Sequence, residues 1–290
     1  MTEVPRKPIT VPDILARKRE GVPVVMVTSY DATFTRLIDA CDVDIVLVGD
    51  SLGMVVQGHP HTLEVEVDDI VYHSRAVRRA LRNALLCADM PFMSYQVGPE
   101  QALINAGRLI RAGGAAAVKL EGGETIAAQI EKIIGAGIPV MGHLGLTPQS
   151  VHAFGGFKVQ GRDDAAADKL RREAKLLEQL GCFSLVLEGI PATLAREVSE
   201  SLSIPTIGIG AGVGCDGQVL VIHDLLGLDD GFQPKFVKRY AELASPIRAA
   251  VSEYAREVRA RAFPGEEHSF GATRPIDSGK KPRRTGYGPG

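Results

Sequence analysis

Tryptophan is absent from this 290-residue chain, and aromatic residues make up only 5% of it. The four cysteines, Cys41, Cys87, Cys182 and Cys215, are scattered without Cys-x-x-Cys spacing. That scatter argues against a disulfide framework or a thiolate zinc site. Such cysteines, lying within or beside expected core elements, read as reduced, mostly buried thiols of a cytoplasmic protein. An excess of one charge is missing too. Thirty-three Lys and Arg against 35 Asp and Glu leave a net charge of −2, so the chain offers little to nucleic acid or to an anionic membrane surface. No apolar run approaches the roughly 18 residues of a membrane span, and the charged, proline-containing start does not read as a signal peptide. No Gly-x-Gly-x-x-Gly opens a helix after the first strand, which argues against a doubly wound dinucleotide-binding sheet.

What is present is a succession of short apolar runs: residues 24–30, 45–51, 85–90, 116–122, 139–145, 184–190 and 206–212. Most are bounded by Gly or Pro and are continuously apolar, as strands buried on both faces should be. Helical stretches separate them at 31–41, 68–81, 99–112, 125–136, 163–180 and 191–202. Alternating strands and helices imply a parallel sheet. Units of this length repeated eight times fill about 250 residues, the usual size of a closed (β/α)₈ TIM barrel. The expectation is one catalytic barrel domain over 1–270.

The eighth unit is read less directly. Residues 219–223 look like a strand by their β-branched content, but they follow Gly212 too closely for a parallel crossover of about ten residues or more. The stretch 216–226 is therefore expected to be a short helix, with Asp216 as N-cap and Gly227 just past its end. The eighth strand is then expected near 236–240 and a last helix over 246–262. Before the first strand, 12–20 reads as a short amphipathic helix, a plug for the amino-terminal mouth. The segment 271–290 is rich in Gly, Pro, Lys and Arg and is expected to be a disordered, solvated tail. Its cluster of Lys280, Lys281, Arg283 and Arg284 could in principle touch nucleic acid.

Five of the runs stop at an ionisable residue: Asp50, Asp89, the pair Lys119 and Glu121, His143 and Glu188. In a barrel these ends converge on one mouth, where catalytic groups sit. Three carboxylates together, Asp50, Asp89 and Glu121, need a cation, and an all-oxygen ligand set selects a hard ion, Mg²⁺ before Mn²⁺ or Ca²⁺. For any one of them alone, helix capping or a salt bridge is the competing explanation. Lys119 and Glu121 are two apart on one strand and point to the same face. The lysine can neutralise metal-bound acids or bind a substrate carboxylate, or the two can be a structural ion pair. Ser51 can donate to the same anion, or can simply occupy a turn. Glu188 is placed to act as a general base, and His143 to hydrogen-bond or protonate a reacting oxygen. A hard ion, a lysine and a carboxylate base suit a 2-oxo acid that loses its neighbouring proton to give a metal-stabilised enolate. Spacing does not say which electrophile that enolate meets.

Several long motifs in order resemble the ketopantoate hydroxymethyltransferase (3-methyl-2-oxobutanoate hydroxymethyltransferase) family. They are Val48-Gly49-Asp50-Ser51, Ala88-Asp89-Met90-Pro91-Phe92, Val118-Lys119-Leu120-Glu121-Gly122-Gly123, the run Gly142-His143-Leu144-Gly145-Leu146-Thr147-Pro148-Gln149-Ser150, Phe154 through Gly161, Gly208 through Gly212, and Pro264 through Phe270. The resemblance covers about residues 9–270. It implies a (β/α)₈ barrel that transfers a hydroxymethyl group from 5,10-methylenetetrahydrofolate to 3-methyl-2-oxobutanoate, giving ketopantoate on the pantothenate and coenzyme A route. By the same resemblance Asp50, Asp89 and Glu121 belong to a site for one Mg²⁺ per subunit. Ser51 and Lys119 match substrate-binding positions, Glu188 the proposed base and His143 an active-site hydrogen-bonding group, and the assembly is a homodecamer. The loop Val213-Gly214-Cys215-Asp216-Gly217 lies where the family varies, so nothing about folate contacts is carried to it. Three alternatives stay open on the residues alone: a Mg²⁺-dependent C–C lyase or mutase on a 2-oxo acid, a decarboxylating aldolase of the pyruvate type, and a non-catalytic binding barrel.

Overall fold

A computed structural model describes residues 7–229, 231 and 233–271. Of the tail expected from residue 271, all but Gly271 lies outside these residues. The chain divides into two compact units, one ending at Ala241 and the other beginning at Glu242. In the first unit eight parallel strands close into a barrel in chain order: β1 (Val24–Thr28), β2 (Ile45–Val48), β3 (Leu85–Asp89), β4 (Ala117–Glu121), β5 (Val140–Gly145), β6 (Ser184–Glu188), β7 (Thr206–Ile209) and β8 (Gly217–Leu220). Closure is direct, because β1 pairs with β2 on one side and β8 on the other. Among the described residues no helix is long and apolar enough to cross a membrane.

The continuous apolar runs follow from having both faces of each strand covered. Successive side chains alternate between the barrel interior and the helical layer. Met26, Leu47, Cys87, Ala117, Met141, Val186, Ile207 and Val219 form one buried cluster. Val46, Val48, Leu86, Ala88, Val118, Leu120, Leu185 and Leu187 form part of the other. The helices supply that second cluster with Ile70, Ala102, Ile130, Leu177 and Val198, among others. They are α1 (Val11–Glu20), α2 (Ala32–Asp39), α3 (Val67–Ala80), α4 (Pro99–Arg108), α5 (Ala127–Gly135), α6 (Asp164–Gln179) and α7 (Ala192–Ser201). Asp31 caps α2 through Thr33 N and Phe34 N, and Asp163 caps α6 through Ala166 N. The helix expected over 99–112 is α4 followed by one π turn, Leu109–Gly113, ended by left-handed Gly114.

The expected plug is present. Ile14 of α1 is fully buried in the interior cluster with Val24, Ile45, Leu85 and Phe183. Two ion pairs fasten the helix there: Arg17 to Asp44 at 2.5 Å and Lys18 to Asp216 at 2.7 Å.

The eighth strand corrects the sequence expectation. It is Gly217–Leu220, not 236–240, and the helix expected over 216–226 is reduced to its last turns, α8 (Ile222–Leu226). Residues 236–240 form a turn and irregular chain, with Phe236 packed over Gly210. The crossover rule fails here because the strands are short. A strand of four residues spans about 13 Å, and the connection from 210 to 216 can reach over 20 Å when extended. That connection runs against α7, where Gly212 and Gly214 leave room for Ala192 and Arg196. Asp216 is not an N-cap; it accepts from Thr206 N and Thr206 Oγ1, both at 2.9 Å, and from Lys18. Gly227 does end a helix as expected, at φ 58°. The second unit contains α9 (Ala244–Arg259), close to the helix expected over 246–262.

The β8–β1 seam has no room for a side chain at Gly217, where a Cβ would lie 2.3 Å from Val24 O. Gly217→Ala is expected to destabilise the protein by about 1–3 kcal/mol, as overpacking does, measured as a lower urea midpoint with unchanged slope. An unaltered midpoint would contradict this placement of β8.

Candidate active site

The interior columns that are apolar at the plugged end turn polar toward the carboxyl ends of the strands. On β3 Cys87 is followed by Asp89, on β4 Ala117 by Lys119 and Glu121, on β5 Met141 by His143, and on β6 Val186 by Glu188. Strand register then sets these groups side by side: Asp89 pairs with Lys119, Glu121 with His143, and Gly145 with Glu188. Five of the residues singled out from the sequence thus meet within the barrel mouth. Asp50 and Ser51 join from the turn after β2, where Asp50 N donates to Asp89 Oδ2 at 3.0 Å. Ser51 Oγ lies 2.8 Å from the Tyr30 hydroxyl.

The cluster is buried and charged. Asp50, Asp89, Lys119, Glu121 and His143 are each at most 7% exposed. Lys119 Nζ lies 3.0 Å from Asp89 Oδ1. His143 stands between two acids, Nδ1 at 3.4 Å from Glu121 Oε1 and Nε2 at 3.3 Å from Glu188 Oε2. Burial, then repulsion from Asp89 and Glu121, pushes the Asp50 carboxyl well above the usual carboxylate range. Burial also raises Asp89, against the pull of Lys119. Glu121 goes the other way: burial opposes ionisation, but the hydrogen bond and charge of His143 hold it below the usual range. Burial and Lys119 work against a charge on His143, yet Glu121 and Glu188 outweigh them and its pKa rises to about 9. The same ring nitrogen that faces Glu121 also lies 3.3 Å from Lys119 Nζ, so His143 is shared between a cation and two acids.

Two further residues complete the site, and neither was assigned a role from the sequence. Gln149, in the short turn Pro148–Ser150 after β5, donates from its side chain to Asp50 Oδ2 at 2.9 Å and to Met90 O at 3.0 Å. Its backbone N donates to Glu121 Oε2 at 3.0 Å. Tyr95, fully buried, lies with its hydroxyl 2.7 Å from Gln149 Oε1 and accepts from Glu121 N at 3.2 Å. Gln149 stands in one of the quoted motifs, and its place just after a strand end was the available signal.

The donor set fits a hard divalent ion at Asp50 and Asp89. These adjacent carboxylates repel each other in a buried place, and one lysine is shared among several acids. Glu121, expected as a third ligand, spends its oxygens on Gln149 and His143. Accordingly, among the described residues no three His, Cys, Asp or Glu side chains form a ready-made cage.

The family model for ketopantoate hydroxymethyltransferase matches residues 8–266. The chain belongs to that family. It is 57% identical over 265 residues to a 3-methyl-2-oxobutanoate hydroxymethyltransferase of Magnetococcus marinus, covering 91% of this chain and 99% of that one. A second relative with the same name, from Syntrophotalea carbinolica, is 57% identical over 261 residues, covering 90% and 98%. Among solved structures the fold is similar to that of a putative phosphonomutase from Burkholderia cenocepacia, with TM-score 0.58, 16% identity, and 86% and 99% covered. It is similar also to that of a phosphonopyruvate hydrolase solved with oxalate and Mg²⁺, with TM-score 0.57, 12% identity, and 90% and 93% covered. At such identities these structures speak to the barrel alone.

The raised pKa of His143 has a stability consequence in the metal-free protein. A group bound more tightly to its proton in the folded state stabilises fully below its unfolded pKa, near 6.5, and loses that contribution as pH rises through about 9. The thermal midpoint of the metal-free protein is expected to fall across that interval, and His143→Gln to remove that part of the slope. Equal slopes in the two proteins would show that the ring is neutral between the acids.

Proposed function

We propose that this barrel transfers a hydroxymethyl group from 5,10-methylenetetrahydrofolate to 3-methyl-2-oxobutanoate, forming ketopantoate for pantothenate and coenzyme A synthesis, and that it depends on Mg²⁺. One observation carries the reading. A chain of this family brings a strand-end glutamate, a histidine, a lysine and two adjacent buried acids to one mouth, and these side chains suit the enolisation of a 2-oxo acid. Asp50 and Asp89 would hold the ion, with Glu121 adding its charge to the site. When bound there, Mg²⁺ would supply Lewis-acid polarisation of the 2-oxo group. Lys119 and Ser51 bind the substrate carboxylate. Glu188 takes the C3 proton, and C3 then bonds to the one-carbon unit as that carbon's bonds to the two folate nitrogens break, tetrahydrofolate leaving and water supplying the hydroxyl oxygen. His143 orients Glu188 through Nε2 and carries a proton beside the reacting oxygens. A cytoplasmic homo-oligomer accompanies this reading.

Deuterium exchange at C3 of 3-methyl-2-oxobutanoate, followed by NMR without folate, separates proton removal from transfer. Glu188→Gln is expected to lose exchange by about two to four orders of magnitude while still binding substrate and Mg²⁺. Wild-type exchange in that variant would falsify the assignment. Asp89→Asn is expected to weaken Mg²⁺ and substrate together with the fold intact, and normal titration of Mg²⁺ into it would remove Asp89 from the ion site. Folate-dependent formation of ketopantoate, abolished by a chelator and restored by Mg²⁺, tests the whole reaction against a folate-free lyase.

A further inference from the structure

We infer that Gln149 is the positioning residue of the ion site, and that Tyr95 acts through it. The inference rests on the proposed Mg²⁺ site at Asp50 and Asp89. Gln149 is 7% exposed and uses all its side-chain capacity: Nε2 gives one proton to Asp50 Oδ2 and one to Met90 O, and Oε1 takes the Tyr95 hydroxyl and Gln96 Nε2 at 3.2 Å. With its backbone N on Glu121, one residue joins the turns after β2 and β3 to the end of β4 and the start of the loop after β5. The amide can sit one way only. Met90 O can only accept, so Nε2 faces Met90 and Asp50 and Oε1 faces Tyr95. The Tyr95 hydroxyl accepts from Glu121 N and has two acceptors for its single proton, Gln149 Oε1 at 2.7 Å and Glu121 O at 3.1 Å, the shorter being Gln149.

The residue type matters because the site must hold Asp50 without spending its charge. A lysine or arginine at 149 would neutralise Asp50 and compete with a cation for it. A carboxylate would add to the repulsion already present. A neutral amide satisfies one oxygen of Asp50, favours its ionised form and leaves the charge for an ion. Gln149 makes no contact that the proposed chemistry needs, so it acts through Asp50 and Glu121.

The test is Mg²⁺ affinity by calorimetry, without substrate, alongside the thermal midpoint of the metal-free protein. Gln149→Met keeps length and the backbone donor to Glu121 but removes every side-chain polar contact; Mg²⁺ affinity is expected to fall about tenfold to a hundredfold, the worth of a buried hydrogen bond to a charged group. Tyr95→Phe, which removes the hydroxyl that anchors Oε1, is expected to weaken Mg²⁺ about threefold to tenfold. The double variant is expected to bind no more weakly than Gln149→Met alone, because Tyr95 reaches Asp50 through the amide, and its contacts with the Glu121 backbone do not touch the ion site. Gln149→Asn, one methylene short, should fall between wild type and Met. A drop in thermal midpoint with Mg²⁺ affinity unchanged in Gln149→Met, or additive losses in the double variant, would overturn the inference. If Gln149→Met does not fold, Tyr95→Phe and Gln149→Asn decide: Mg²⁺ affinity equal to wild type in both overturns it. Wild-type protein that fails to bind Mg²⁺ would instead remove the ion site on which the inference stands.

Discussion

Repulsion among acids that cannot reach water organises the mouth of this barrel. Stripping solvent from a carboxylate costs several kcal/mol even after relaxation, and Asp50, Asp89 and Glu121 are all buried together. The neighbouring cations are distributed unequally. Lys119 pairs with Asp89 at 3.0 Å, and Glu121 and Glu188 raise the pKa of His143 to about 9. Asp50 is left with a neutral amide. The same imbalance that raises the proton affinity of Asp50 is what a hard cation would relieve, so the place where charge is least compensated is also the place where an ion has most to offer.

Such a concentration of charge requires a scaffold that does not yield. Eight short strands paired all the way round leave no sheet edge, and the two apolar layers inside and outside the strands hold each one in register. Register matters more than proximity here, since Asp89 meets Lys119 and Glu121 meets His143 as cross-strand neighbours. At Gly145 the constraint is visible in the backbone: φ is 96°, and a Cβ would stand 2.2 Å from Glu188 O. That close approach lets Leu146 N donate to Glu188 O at 2.8 Å and fixes the end of β6 against the end of β5. His143 and Glu188 reach each other from strands thus locked together.

Most of this was legible in the sequence because burial and charge are local signals. An apolar run that ends in Asp89, in Lys119 and Glu121, in His143 or in Glu188 announces both a strand and a polar mouth. The plug was legible from the amphipathic spacing around Ile14. Gln149 and Tyr95 were not, because uncharged residues in loops carry no such signal and their importance lies in partners 26 to 99 positions away. The eighth strand was hidden for a different reason. A rule about crossover length outweighed the β-branched content of Val219 to Val221, and only the shortness of β7 and β8, with glycines passing α7, makes so brief a connection possible.

The ring of His143 also separates two glutamates that look alike in sequence. Glu121 and Glu188 both end strands, and both touch the same ring. Glu121, however, gives its second oxygen to Gln149 N and is held below the usual carboxylate range, so it is a poor acceptor of a substrate proton. Glu188 is more open, with its side chain 14% exposed, and its contact with His143 engages one oxygen. A general base needs a free lone pair facing the substrate and a partner that fixes its direction. Of the two, Glu188 has an oxygen outside its contact with His143 as well as that contact, which is why the proposed proton-removing role goes to it and not to the residue enclosed by Gln149 and His143.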